Sequence, residues 1–476
     1  MFTTFIVEYS WVVVATIILA MTGGFILTPF YDSQKNYFLL AAPLAGILIL
    51  SLGTSALYII LGLSLKTSSL STILLCSSIT LISVFIYPPR FKEIKWPKII
   101  IIFFVIAVIT YISEYATIVS GSPSLFFKGA IDSPFYANVA DWLNAHLASA
   151  QPQKDSNDIY QLWPATLFQT DIRFGAYFIL GFFSALRAQP ALFSYDFACA
   201  VILSASILSI SAIFARRNTA AFLFLFIGLL VSDWYDYGRS GFLGKLLIYP
   251  SVLYIIGIFF HTKRPFTPRK FFSLILLTYA AANIYPAYAV SLFLFSIGAF
   301  FIAIPFFTPK IFQKKSYLLI QLDDLIVFCI IVFLPIVSIG ILSKISVFGD
   351  LITNYLPQNS ALHNSYYSQV NFARLFHLEH FDFKIKLQPC WMLLGTVLFV
   401  VATIASLALS IIKKNYIAFC LLITPIFVMM VFIVCKRYWI EYQFIGLFYP
   451  IFLCGFSTLI DSYNINENIG SHKIDY

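Results

Sequence analysis

Two carboxylates, Asp132 and Asp141, stand nine residues apart in a chain with few charges. They lie in Gly129-Ala-Ile-Asp132-Ser-Pro-Phe-Tyr-Ala-Asn-Val-Ala-Asp141-Trp-Leu-Asn-Ala-His146, the first long polar stretch after four apolar runs. A carboxylate at the rim of an apolar segment can take a proton from a hydroxyl, directly or with a divalent metal. Asp132 suits that role. It suits equally a helix N-cap, because aspartate readily accepts hydrogen bonds from first-turn amides. Asp141 is either a second acid or part of a solvated helix face.

Cations and aromatic rings supply the complementary chemistry. Arg173, in Asp171-Ile-Arg173, can hold a phosphate or pair with its neighbouring acid. The segment Asp233-Trp-Tyr-Asp236-Tyr-Gly-Arg239-Ser-Gly-Phe-Leu-Gly-Lys245 places Arg239 and Lys245 beside an apolar span, as a lipid phosphate requires. Lys436 and Arg437 form a basic pair with Glu441 as an internal counter-ion or a phosphate as an external one. Trp234 and Tyr285 offer flat faces for a sugar, or interfacial anchors. Glu114 falls one turn inside the end of an apolar span, where an acid is costly and therefore a functional candidate; water, Tyr111 or Tyr115 can also satisfy it. His377-Leu-Glu-His380 offers metal ligands at i and i+3, a loose pattern that lacks the zinc-enzyme spacing. No phosphate-binding Gly-x-x-x-x-Gly-Lys loop, Gly-x-Gly-x-x-Gly turn or Gly-x-Ser-x-Gly elbow occurs.

The elements that carry these groups follow from patterning. Ser133-Pro134 marks a helix start, with a capping side chain followed by a proline that needs no amide partner. Beyond it Phe135, Val139, Trp142, Leu143, His146 and Leu147 share one face, with Asn138, Asp141 and Asn144 on the other. The spacing predicts a short amphipathic helix lying in a membrane interface after Asp132.

The whole chain has 476 residues, 60% hydrophobic and 11% charged, with mean hydropathy +0.88. Soluble domains carry about 25% charged residues. An all-α polytopic membrane protein is the class that fits. About 13 spans are expected at roughly 20 apolar residues each: near 9–30, 37–63, 68–87, 97–118, 197–214, 219–233, 243–260, 271–285, 287–307, 324–343, 391–412, 416–435 and 443–460. Asn283-Ile-Tyr-Pro286 breaks the long run 271–307 into a hairpin. Phe174–Leu186 is too short to span and reads as re-entrant or interfacial. The first apolar run lacks a basic leader and a cleavage site, so it is expected to remain as a span.

The net charge of +9 is dispersed among short loops rather than gathered in a nucleic-acid patch. Residues 89–98, Arg216-Arg217, 263–270, 310–315 and Lys413-Lys414 all fall on one side of the expected bundle. The positive-inside rule then puts the N-terminus outside and the C-terminus in the cytoplasm of a plasma (inner) membrane protein. Four N-terminal spans occupy 1–118, a first extracytoplasmic loop 119–196, spans five to ten 197–343, a second such loop 344–390, the last spans 391–460 and a cytoplasmic tail 461–476. The cysteines sit in or beside apolar spans and form no disulfide or metal spacing.

Together these features resemble the GT-C class of integral-membrane glycosyltransferases. The resemblance rests on the multi-span chain, the outer first large loop, the acidic Asp132-Ser-Pro-Phe-Tyr…Asp141 stretch and the aromatic-proline hairpin Asn283-Ile-Tyr-Pro286. Gly241-Phe-Leu-Gly-Lys245 and Arg437-Tyr438 are similar to elements of bacterial members. It implies transfer of a sugar from a polyprenyl-phosphate-linked donor to a glycan, lipid or protein acceptor, within membrane lipids and without nucleic acid. It implies Asp132 as the catalytic acid/base and Arg239, Lys245 or Arg437 as lipid-phosphate ligands. The residues' own chemistry adds Asp141 as a second catalytic candidate, Lys436 and Arg173 as further phosphate ligands, and Tyr285, Trp234 and Glu114 as substrate contacts. The cofactor is unknown, with a divalent metal and the lipid-linked sugar donor as the candidates. Two features differ: four spans precede the acidic loop, and the usual adjacent acids are replaced by a nine-residue spacing. Two rival readings are a lipid-linked polysaccharide polymerase or ligase, relying on Arg173, Arg187 and Arg374, and a lipid-linked-sugar flippase or transporter.

Overall fold

A long apolar run in a hydrocarbon environment has to satisfy its amides internally, and a helix does this within one segment. The computed structural model follows that rule. It describes residues 1–33, 38–86, 96–122, 132–150, 152–153, 161–165, 174–215, 218–239, 242–262, 267–285, 298, 327, 329–331, 389–434 and 438–469. Among the described residues every regular element is helical. The chain divides into two compact units, one of Met1–Ile213, Trp234–Ala289 and Leu334–Ile339, the other of Phe214–Asp233, Val290–Phe333 and Gly340–Tyr476.

The first unit is built on α1 (Phe2–Leu27), α2 (Phe38–Leu61), α3 (Leu65–Ile86) and α4 (Trp96–Ser113), followed by the short α5 (Tyr115–Ser120). Then come α6 (Asp132–Ala145), α7 (Phe174–Arg187), α8 (Tyr195–Phe214), α10 (Asp233–Arg239), α11 (Leu243–His261) and α12 (Pro268–Ile284), with α9 (Thr219–Leu230) belonging to the second unit. Among the described residues five helical stretches are long and apolar enough to cross a membrane: Phe2–Phe30, Leu40–Leu61, Leu65–Ile86, Tyr195–Phe214 and Leu243–His261. Along α3 the exposed side chains include Leu70, Leu74, Leu75, Ile79, Ile82 and Phe85, a surface suited to lipid rather than water.

Close backbone approach joins α1 to α2. A methyl group added at Gly46 would strike the Leu19 carbonyl, and one at Gly23 the Ala42 carbonyl. Small residues at such crossings let dispersion contacts and weak C–H···O contacts form between helix backbones. Hydroxyls inside the bundle bond back to carbonyls one turn earlier, as Thr16 does to Val12, Ser55 to Ser51 and Thr110 to Ile106. This removes the cost of an unpaired hydroxyl in apolar surroundings.

Helix α6 packs against a neighbouring helix. It runs beside α7 in the same direction: the Tyr136 and Tyr177 rings are 5.0 Å apart, and Asn144 Nδ2 donates to the Gly181 carbonyl at 3.1 Å. Ser133 is buried. On the face expected to meet water, α7 supplies a carbonyl and a hydroxyl to Asn144, and Asn138 is buried. α7 was expected as a re-entrant or interfacial piece; Ala176 through Phe183 are buried along it.

In the second unit α9 lies beside α15 (Tyr438–Ile469), which also meets α14 (Tyr416–Val434) and α13 (Pro389–Ile412). The Asp461 carboxylate accepts the Asn218 amide at the start of α9 at 2.7 Å, an anion placed at a helix N-terminus. Asn415 caps α14 through the Ala418 amide and reaches the Ser462 hydroxyl. Most of the expected spans 287–307 and 324–343, and most of the second extracytoplasmic loop, lie outside the described residues.

Candidate functional site

Three helix starts and one helix end meet in the first unit. α7 begins against α2 and the end of α12. A Cβ at Gly175 would contact the Ser51 hydroxyl, the Ile284 Cα at 2.9 Å and the Asn283 carbonyl at 3.0 Å. Asn283 fixes that end of α12 by donating from Nδ2 to the Ser51 and Ser55 hydroxyls, at 3.2 and 3.0 Å. α11 begins beside α6, and a Cβ at Gly244 would stand 2.8 Å from the Tyr285 ring and 2.9 Å from the Tyr136 hydroxyl. Only glycine allows the three segments this proximity.

Lys245 follows directly. It is 8% exposed, with its ammonium 4.5 Å from the Phe242 ring centroid and 5.4 Å from that of Tyr237. Ring faces favour a cation there, and the start of α11 adds the partial positive charge of its free amides. An aromatic wall stands on the α6–α7 side, where Phe135 lies 5.4 Å from Trp163 and 5.8 Å from Tyr177, centroid to centroid.

Asp132 is the first residue of α6, one turn before Tyr136; its side chain lies outside the described residues. Asp141 is two and a half turns further on, about 13 Å along the axis. Its Oδ1 accepts the Ala191 amide at 2.8 Å, tying α6 to the turn after α7. Burial pushes its carboxyl above the ordinary aspartate range, and the hydrogen bond from Ala191 offsets part of that rise. Among the described residues no three His, Cys, Asp or Glu stand together as a metal site.

Of the other candidates, Tyr285 borders Gly244, whereas Trp234 is fully buried. The neighbouring Tyr235 hydroxyl donates to the Ile112 carbonyl at 3.1 Å. The Arg239 side chain lies outside the described residues, as do Arg173, Lys436, Arg437, His377 and His380.

Glu114 belongs to a second constellation, where α1, the α4–α5 junction, the end of α7 and the start of α8 come together. Arg187 holds Glu8 with both guanidinium nitrogens, Nη1 to Oε2 and Nη2 to Oε1, the latter at 2.9 Å. The guanidinium lies 5.7 Å from the Trp11 ring centroid and 4.8 Å from that of Phe197. Glu114, at the break between α4 and α5, is 3% exposed. It is hydrogen-bonded to the Thr117 side chain and feels the charges of Glu8, Asp196 and Arg187. Tyr111 and Tyr115, offered by the sequence as its partners, instead pair edge to face with each other. Tyr195 hydrogen-bonds Cys199 and senses both Tyr136 and Asp196, so it stands between the two constellations.

Sequence reasoning missed Glu8, which a hydropathy boundary at residue 9 left outside the first span. α1 begins at Phe2, and an acid in the second turn of an otherwise apolar helix is the signal that identifies it. Tyr136 was also missed; its i+4 spacing from Asp132 was legible. No family model, curated protein or solved structure matches this chain.

Proposed function

We propose that this protein is a membrane glycosyltransferase that moves a sugar from a polyprenyl-phosphate-linked donor to a glycan, lipid or protein acceptor. The observation that carries the reading is the meeting of α6, which starts at Asp132, with Lys245 at the start of α11 and Tyr285 at the end of α12. Asp132 serves as the base and Lys245 as the phosphate-binding cation. Arg173, Arg239, Lys436 and Arg437 are further phosphate ligands in this reading, with the N-terminus and the site on the extracytoplasmic side.

The acceptor oxygen attacks the anomeric carbon while its proton passes to the Asp132 carboxylate. The bond from that carbon to the phosphate oxygen breaks, and polyprenyl phosphate leaves with the electron pair. Lys245 and the α11 amides offset the charge that grows on the departing phosphate. Ring faces at Tyr285 and Trp163 suit the apolar side of a sugar. Asp141 has a structural partner in Ala191 and serves by holding α6 against the turn after α7.

Native mass spectrometry of the purified protein tests the reading, with wild type compared with Lys245→Met. Copurified polyprenyl phosphate or its glycosylated form in wild type, depleted in the variant, supports it; bulk phospholipid alone in both rejects it. The polymerase or ligase alternative loses one of its arginines, since Glu8 already engages Arg187 in bidentate fashion. The buried acids around Arg187 favour the transporter as the second reading. Asp132→Asn separates the two by abolishing sugar transfer while sparing lipid movement.

A further inference from the structure

The acids around Arg187 are poorly matched in charge. Glu8, Glu114 and Asp196 bring three carboxyl groups to one guanidinium, and Glu8 occupies both of its arms. Glu114 Oε1 is buried and has no hydrogen-bond partner among the described residues, while two other carboxylates bear on Glu114. An ionised carboxylate in that position is stabilised neither by water nor by a donor at Oε1. A compensating positive charge is needed. A proton on the unpartnered Glu114 oxygen supplies it and needs no further ligand.

The proton belongs on Glu114 rather than on its neighbours. Both carboxylate oxygens of Glu8 are already taken up by the two guanidinium nitrogens of Arg187. Asp196 sits in the first turn of α8, where the free amides favour an anion. Glu114 lies at a helix break, facing Glu8 on α1, Arg187 on α7 and Asp196 and Cys199 on α8. Within the membrane-embedded unit this is a place where one proton can be held and released.

We propose that Glu114 is a proton-binding site, built by the Glu8–Arg187 pair and Asp196 around a carboxyl oxygen that no other described residue satisfies. Binding forms the O–H bond of a neutral carboxylic acid; release returns the carboxylate and a proton to solvent. The inference is independent of sugar transfer and holds for either functional reading.

Infrared spectroscopy of the full chain in lipid nanodiscs tests it at neutral pH. Wild type should show the carbonyl stretch of a protonated carboxyl, absent in Glu114→Gln and unchanged when sodium is replaced by choline. Gln has the shape of a protonated Glu, so this variant should unfold at a temperature no lower than wild type. Asp196→Asn provides a second reading with Glu114 intact: removing one neighbouring negative charge should lower the pH at which the band disappears. A band that persists in Glu114→Gln, or one that appears only when sodium is withdrawn, overturns the proposal. So does an unmoved or raised midpoint in Asp196→Asn.

Discussion

Gly244 faces Tyr136 so closely that a methyl group on it would lie 2.9 Å from the tyrosine hydroxyl. The start of α11 can therefore approach α6 only because this residue has no side chain. Gly244→Ala should force Tyr136 or Tyr285 aside and displace Lys245 from the start of α6. Misplacing a reacting group by about 1 Å costs on the order of 100-fold in rate. On the proposed function, sugar transfer should fall by about that factor, measured as turnover, while the melting temperature falls by only a few degrees. Unchanged turnover would separate Lys245 from the chemistry.

Arg187→Ala leaves Glu8 charged and buried without its partner. Breaking a buried pair on one side costs about 3–5 kcal/mol, so thermal unfolding in detergent should shift down strongly. Replacing both residues, as Glu8→Leu with Arg187→Leu, should recover most of that loss. A double variant as unstable as the single one would show that the ring contacts with Trp11 and Phe197, rather than the charge pair, hold α7 to α1.

Asp141 sets a pH dependence whose sign follows from burial. Its carboxyl is pushed upward, so the folded chain binds this proton more tightly than the unfolded chain does. The stability it contributes is complete below the ordinary aspartate value and is lost as pH rises through the raised one. Asp141→Asn has no such titration and keeps an oxygen for the Ala191 amide. The melting temperature of wild type relative to Asp141→Asn should therefore fall as pH rises above the ordinary aspartate value of about 4. A difference that is flat or rises with pH would contradict the burial effect.

Gly46→Val tests the crossing of α1 and α2. The added side chain would overlap the Leu19 carbonyl, and backbone cannot retreat as a flexible side chain can. Overpacking of this kind costs about 1–3 kcal/mol or more. The variant should give little monodisperse protein on size exclusion, whereas Gly62→Ala, at a position open to space but with positive φ, should lose only a modest amount of stability.

Helix positions were legible where apolar runs were long. The expected 37–63, 68–87, 197–214 and 243–260 correspond to helices Phe38–Leu61, Leu65–Ile86, Tyr195–Phe214 and Leu243–His261, because hydropathy and helix formation have one cause in an apolar medium. The surroundings of α6 were not legible. Asn138 and Asn144 read as a solvated face since periodicity reports polarity and not what covers it; α7 supplies the partners of Asn144. The partner of Asp141 is a backbone amide at Ala191, and amides carry no residue-type signal. The Glu8–Arg187 pair joins positions 179 residues apart, a pairing that local patterns do not reveal. Lys245 was legible as a cation near an apolar span, but its placement by Gly244 against Tyr136 and Tyr285 required three distant segments.

That separation of Glu8 from Arg187 also sets an order of events during synthesis. Chains grow at about 5–20 residues per second, so the acid precedes its arginine by roughly 10–35 seconds. Throughout that interval α1 and α2 already possess the glycines that let them cross, yet the first turns of α1 carry a carboxylate without its guanidinium. Until α7 is made, that carboxylate has water or some other cation for company; once Arg187 exists, the pair that ties α1 to the end of α7 can form.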